Sequence, residues 1–165
     1  YEKAASAGKR VQCLCQAKNH ALVLADTPIE RTAAGVMNSA FGCAGQRCMA
    51  LSCCVVEESI ADKFVAELVK QAKGLKLHMQ DLKAWSNYNE KHYKEVLADI
   101  DKGVAEGAEL VLDGRNCVVE GYENGFYVGP TIFDHVTEDM TIGRDEVFGP
   151  VLCIKRVKSF EEGLA

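Results

Sequence analysis

Apolar residues recur along this chain at two spacings, and the alternation between them predicts its elements. From Ile29, the residues Ala33, Val36, Met37, Ala40 and Phe41 return at threes and fours, the period of one helical face. Thr27-Pro28-Ile29-Glu30, just ahead, has the form of a capping box with proline at the first helical position. Leu51 to Val56 is continuously apolar, as expected of a strand covered on both faces in a parallel sheet. Ile60, Phe64, Leu68, Ala72 and Leu75 mark a second helix, with Ser59 as its expected cap. Tyr93, Val96, Leu97, Ile100 and Val104 mark a third, ending near Gly103 or Gly107. Val11 to Cys15, His20 to Leu24, Glu109 to Leu112, Thr131 to Phe133 and Val151 to Val157 are expected as strands. Tyr1 to Arg10 carries no start signal, and His78 to Lys91, polar and irregular, is expected as a surface excursion. Asn116 to Gly129, with Asn124-Gly125 at a turn, is expected to be irregular or a hairpin. The order of elements predicts an α/β fold with a largely parallel sheet flanked by helices. Ser159-Phe160-Glu161-Glu162 is a second capping box, so a helix is expected to start close to the C-terminus. That suggests a domain excised from a longer chain.

Composition changes this picture little. At 165 residues, 48% hydrophobic and 26% charged, residues 1–165 suit a single domain with a sizeable core. A net charge of −5 with no Lys/Arg run argues against nucleic acid or a membrane surface as partner. No apolar stretch approaches the ~20 residues that span a bilayer. The eight cysteines raise the question of a metal. Cys13/Cys15 and Cys53/Cys54 lack zinc-knuckle spacing and no His stands at a complementary distance, so no metal is expected. Cys53, Cys54, Cys117 and Cys153 stand among Val, Leu and Ile, where Cys behaves as a small hydrophobe. Reduced thiols in the cytoplasm, or in a mitochondrial matrix if the source is eukaryotic, are the expected setting.

Candidate chemistry concentrates in Phe41 to Ala50, Phe-Gly-Cys-Ala-Gly-Gln-Arg-Cys-Met-Ala, where the first helix hands over to the apolar strand. Cys48 is the candidate nucleophile. A thiol attacks as thiolate, which the neighbouring Arg47 would favour. Gly45 would leave room for a ligand to approach the backbone, and the Cys48 N–H could serve a developing oxyanion. A buried structural cysteine is the alternative.

The stretch Phe41-Gly42-Cys43-Ala44-Gly45-Gln46-Arg47-Cys48 resembles the nucleophile loop of the aldehyde dehydrogenases. Glu146-Val147-Phe148-Gly149-Pro150, about a hundred residues on, resembles their second signature, and Gly129-Pro130-Thr131 matches a further common segment. Gly8-Lys9-Arg10-Val11-Gln12 and Ala17-Lys18-Asn19-His20 resemble the methylmalonate and malonate semialdehyde dehydrogenases within that family. In this comparison Leu14 falls where most members carry the general-base Glu, Cys15 where they carry Leu, and Gln16 and Ala17 where they carry a Gly pair. Two features depart from the subfamily: Gln16, where a small residue is usual, and residues 78–91, which lack the Leu-Gly-Pro-like turn.

The resemblance implies an aldehyde dehydrogenase catalytic domain from a three-part subunit, without the nucleotide-binding half or the segment that completes the oligomerisation sheet. It implies NAD as cofactor, with Glu146 on the ribose hydroxyls and Phe148 beside the nicotinamide. Arg47 and Arg10 become candidates for the carboxylate of a small semialdehyde substrate, because a guanidinium offers a fork matching two oxygens. Lys18 and Asn19 are expected to shape the cleft, His20 to be a strand-start residue and Cys43 to be packing. A hydrolytic enzyme needs the base that Leu14 replaces, whereas release of the acyl group to coenzyme A does not. The implied parent is a coenzyme A-acylating, homo-oligomeric dehydrogenase, and the chain by itself is expected not to turn over. A hydrolytic aldehyde dehydrogenase, or an inactive fragment with an assembly role, are the alternatives.

Overall fold

The computed structural model describes residues 1–75 and 89–165, in which His20–Val23 (β1), Cys53–Glu57 (β2), Glu109–Leu112 (β3), Thr131–Asp134 (β4) and Val151–Val157 (β5) form one sheet. The strand order is β1-β2-β5-β4-β3. The first three neighbouring pairs are parallel, and only β3 runs antiparallel, at the edge, with an irregularity between Leu110 and Leu112. β3 and β4 are joined through residues 113–130 without a crossover helix, the connection that allows antiparallel pairing. The mainly parallel α/β expectation is met, down to the apolar runs of β2 and β5, whose first four residues are all buried.

The helices are Glu2–Ser6 (α1), Ile29–Phe41 (α2), Glu58–Lys73 (α3), Glu90–Ala105 (α4), Thr141–Arg144 (α5) and Phe160–Leu164 (α6). Alternation along the strands feeds two cores. On one face Val23, Cys54, Val56, Leu152 and Ile154 pack with Ala33, Met37 and Phe41 of α2 and Phe64 and Leu68 of α3. On the other, Cys53, Val55, Phe133, Val151 and Cys153 pack with Val96 and Ile100 of α4 and Ile142 of α5. No helix among the described residues is long and apolar enough to cross a membrane.

Four local expectations are corrected. Val11–Cys15 is not a strand; residues 12–15 are exposed, and no strand of the described sheet pairs with the segment. Glu2–Ser6 is helical although no start signal precedes it, and it buries nothing. Thr27 makes no cap bond, because α2 begins at Ile29 with Pro28 in the cap position, one residue too late for Thr27 to reach the first-turn N–H groups. Ser59 makes none either, since β2 runs into α3 at Glu58 and Ser59 is already helical. The Ser159 cap does form, its oxygen accepting from Glu162 N at 3.3 Å. The expectation for His78 to Lys91 falls almost wholly outside the described residues.

Candidate active site

At the end of α2 the Asn38 carbonyl accepts from Gly42 N–H and the Ser39 carbonyl from Leu51 N at 3.3 Å, and a side chain from the following loop adds a further donor to both. Arg47 Nη2 donates to Asn38 O at 2.7 Å and to Ser39 O at 3.2 Å, a cation at the negative end of the helix dipole. The guanidinium lies against Gly42, where a Cβ would meet its carbon at 3.0 Å. Arg47 therefore spends part of its hydrogen-bonding capacity on the helix end, not on serving the Cys48 thiol alone.

Between Gly42 and Cys48 the chain turns left-handed. Cys43, Ala44 and Gly45 have φ of 53°, 54° and 68° in succession, and Ala44 is fully buried there. Two non-glycine residues in this region cost about 1–2 kcal/mol each, so the surrounding packing must hold them. At Gly45 the requirement is absolute: a Cβ would collide with the carbonyl oxygen of Gly149 and lie 2.9 Å from that of Ala40. What approaches Gly45 closely is the backbone of the second motif, where the sequence suggested a ligand. The Cys48 and Glu146 motifs thus meet through glycine.

Cys48 itself is exposed. Its backbone N–H donates to nothing among the described residues, so it remains available to an oxyanion. Its carbonyl is held by Asn19, whose Nδ2 donates to Cys48 O and Ala50 O, both at 2.9 Å. The carbonyl of Asn19 accepts from Cys53 N at 3.1 Å, which fixes the loop to the start of β2. The preceding residue does the same for the second motif. Lys18 Nζ donates to Ile142 O at 2.7 Å and Asp145 O at 3.0 Å, anchoring α5 immediately before Glu146. The dipeptide Lys18-Asn19 therefore holds one loop with each residue. His20 is exposed at the start of β1, its Nδ1 2.7 Å from Lys18 O.

Gly45, Arg47, Ala17, Glu146 and Phe148 line a shared notch of about 10 Å³, room for roughly one water. Glu146 is half-buried and its carboxylate has no donor among the described residues. Phe148 leaves 39% of its surface exposed. An unpaired carboxylate beside an open aromatic face fits a ligand with vicinal hydroxyls and a flat ring, as NAD has in its nicotinamide riboside. Arg10 lies exposed on the segment before β1, without a partner among the described residues. The structure brings Arg47, Glu146 and Phe148 into one notch; Cys48, next to Arg47 in the chain, is not among the lining residues, and no bond runs from Arg10 to the group. His92, whose Nε2 donates to the Phe148 carbonyl across 2.7 Å, had no sequence signal because its partner is 56 residues away.

The strand thiols are the opposite case. Cys53, Cys54 and Cys153 are fully buried. Burial pushes Cys53 up to about 12, and raises Cys54 and Cys153 as well. Cys153 Sγ donates to Ile142 O at 3.2 Å. Among the described residues no group of three or more His, Cys, Asp or Glu is gathered to hold a metal ion.

The family model described as "Aldehyde dehydrogenase family" matches residues 1–165. Malonate-semialdehyde dehydrogenase 1 of Oceanobacillus iheyensis is 48% identical over 169 residues, covering 99% of this chain and 34% of that protein. Malonate-semialdehyde dehydrogenase of Pseudomonas aeruginosa is 44% identical over 168 residues, with the same coverage, 99% and 34%. Among solved structures, a protein from Sinorhizobium meliloti described as a methylmalonate-semialdehyde dehydrogenase, complexed with NAD, superposes with a TM-score of 0.92 at 36% identity. The superposition covers 99% of this chain and 34% of that one. The chain thus spans about a third of the length of the relatives it matches. With its two signature loops packed together at Gly45 and Gly149 and the family match running its full length, the chain belongs to the aldehyde dehydrogenase family.

Proposed function

We propose that residues 1–165 are the nucleophile-bearing catalytic domain of an NAD-dependent, coenzyme A-acylating malonate or methylmalonate semialdehyde dehydrogenase. The observation that carries this reading is the contact between Gly45 and Gly149, which joins the Cys48 loop and Glu146–Phe148 in one notch. The 48% identity to a malonate-semialdehyde dehydrogenase supports the substrate class.

NAD, when bound, supplies the hydride acceptor. Glu146 would hold its ribose hydroxyls and Phe148 would flank the nicotinamide. Cys48 attacks the aldehyde carbon as thiolate: the C–S bond forms, the carbonyl electron pair moves onto oxygen, and the Cys48 N–H stabilises the resulting charge. Cys48 then carries a thiohemiacetal and, after oxidation of that carbon, a thioester. Arg10 and Arg47 are the partners proposed for the carboxylate of the substrate, Arg47 through donors that α2 leaves free. The thiol of coenzyme A, as thiolate, attacks the thioester carbonyl and expels the Cys48 thiolate. With loss of the substrate carboxylate as carbon dioxide, the product is acetyl- or propionyl-coenzyme A. Leu14, 83% exposed, can take no proton from water, and a positioned base is worth about 10²–10⁴-fold. Thiolysis, which brings its own nucleophile, loses less by that absence. The parent is proposed as a homo-oligomer of the cytoplasm, or of the mitochondrial matrix in a eukaryote.

The test is NADH formation from malonate or methylmalonate semialdehyde by the full-length enzyme, with and without coenzyme A. A burst of one NADH per subunit that stalls until coenzyme A is added is the expected result. Equal steady-state rates with free acid as sole product would reassign the enzyme as hydrolytic. No NADH and no Cys48 adduct in either case would leave an assembly role.

A further inference from the structure

The first turn of α4 is built to hold the second motif. Asn89 caps the helix, its Oδ1 accepting from His92 N at 2.9 Å, which fixes the turn that carries the His92 ring. From there His92 Nε2 lies 2.7 Å from Phe148 O. The carbonyl can only accept, so Nε2 carries the hydrogen and donates. The imidazole also meets the Phe148 ring, with centroids 6.4 Å apart and planes at 55°. That is a tilted aromatic contact. Four residues on, along the same helix face, Val96 is 1% exposed and packs so closely on Gly149 that a Cβ there would lie 3.0 Å from Val96 Cγ2. Gly149 in turn presses its carbonyl on Gly45. The helix thus grips both residues of the motif, one by a directed bond and one by contact.

From this grip we infer that His92 is a positioning residue for the cofactor: it fixes the carbonyl and the ring of Phe148 and thereby sets how tightly the nicotinamide end is held. The inference rests on the reading that Phe148 flanks the nicotinamide. His92 touches neither substrate nor the reacting sulfur in this account. Its contribution should therefore fall on cofactor affinity and spare the Cys48 thiol. A neutral hydrogen bond left unmade costs about three- to tenfold in an equilibrium constant.

Two variants of the full-length enzyme separate the two contacts. His92→Phe keeps an aromatic ring against Phe148 and removes the donor; His92→Gln keeps a donor at the position of Nε2 and removes the ring. The readouts are the dissociation constant for NAD by calorimetry, the KM for semialdehyde, and the rate of Cys48 alkylation without NAD. His92→Phe should weaken NAD about three- to tenfold and leave the other two within about twofold, and His92→Gln should recover most of the loss. An NAD constant unchanged in His92→Phe, or a loss that His92→Gln does not recover, overturns the inference. Should His92→Phe fail to fold, His92→Asn, too short to reach Phe148 O, replaces it, and equal NAD constants for the Asn and Gln variants overturn it likewise. Glu146→Gln and Phe148→Leu are measured in parallel. If both leave NAD binding unchanged, the underlying cofactor reading has failed; if they weaken it and the His92 variants do not, only the present inference has.

Discussion

Within six residues the chain passes from an exposed thiol, Cys48, to two fully buried ones, Cys53 and Cys54, and the surroundings of the two groups differ in every physical respect. Cys48 follows a run of three left-handed residues, with its carbonyl pinned by Asn19 and its N–H unpaired among the described residues. Cys53 sits in β2 with both strand neighbours in place, opposite Cys153 of β5, and burial holds both thiols in the neutral form. A cysteine on a regular, doubly covered strand gains packing and loses reactivity. One on an irregular loop, fixed by contacts to other loops, keeps an open thiol at a defined place. The same residue type thus serves as core on one side of a short segment and as candidate nucleophile on the other.

The sharpest way to break the comparison is to exchange the two kinds of cysteine. In the full-length enzyme, Cys48→Ser should lower kcat/KM by about 10⁴-fold or more, as loss of a covalent nucleophile does. Cys53→Ala or Cys153→Ala should leave kcat/KM within a few-fold while costing about 1 kcal/mol in denaturant unfolding. Next in size is Gly45→Ala. A left-handed φ and a collision with the Gly149 carbonyl together should destabilise by about 2–5 kcal/mol, read as a shift of the unfolding midpoint. Gly35→Ala, mid-helix with nothing within 4 Å of its added Cβ, should be neutral or stabilising by up to about 1 kcal/mol.

Asn19→Ala sharpens the loop side. It leaves the Cys48 and Ala50 carbonyls without their donor, and a misplacement of the thiol by an ångström costs about 10²-fold. A fall in kcat/KM of about 10–100-fold, with the aldehyde KM little changed, is expected from steady-state kinetics. The smallest effect concerns the strand side. The Cys53 thiol is held neutral by burial up to about 12, against an ordinary value of 9.0. Above pH 9 the unfolded chain therefore releases a proton that the folded one keeps, so its stability contribution is full below pH 9 and is lost as pH rises toward 12. The slope is at most about 1.4 kcal/mol per pH unit per thiol, and Cys53→Ala should flatten it in unfolding curves between pH 9 and 11.

Much of this was legible from residue order. Helical periodicity located α2, α3 and α4, and the unbroken apolar run at Leu51–Val56 announced a doubly covered strand that the sheet order confirms. Caps were less legible: Thr27 and Ser59 have the right chemistry, but a shift of the helix start by one or two residues left both without a cap bond. Val11–Cys15 looked like a strand from composition, yet pairing is a property of neighbours and not of the segment. At the site, Cys48, Arg47, Glu146 and Phe148 were visible through their motifs. Arg47's bonds to the end of α2, Gly45's contact with Gly149 and His92's bond to Phe148 were not, because each depends on how distant loops or the preceding helix close in space.

The central claim is that Cys48 carries the acyl group. The direct measurement is to mix the full-length enzyme with malonate semialdehyde and NAD in the absence of coenzyme A, quench in acid, and map the modified peptide by mass spectrometry. The expected result is one acyl thioester per subunit on Cys48, discharged on adding coenzyme A and absent from Cys43, Cys53, Cys54 and Cys153. Acylation at another cysteine, or NADH formation that persists in Cys48→Ser without any acyl-enzyme, would contradict it.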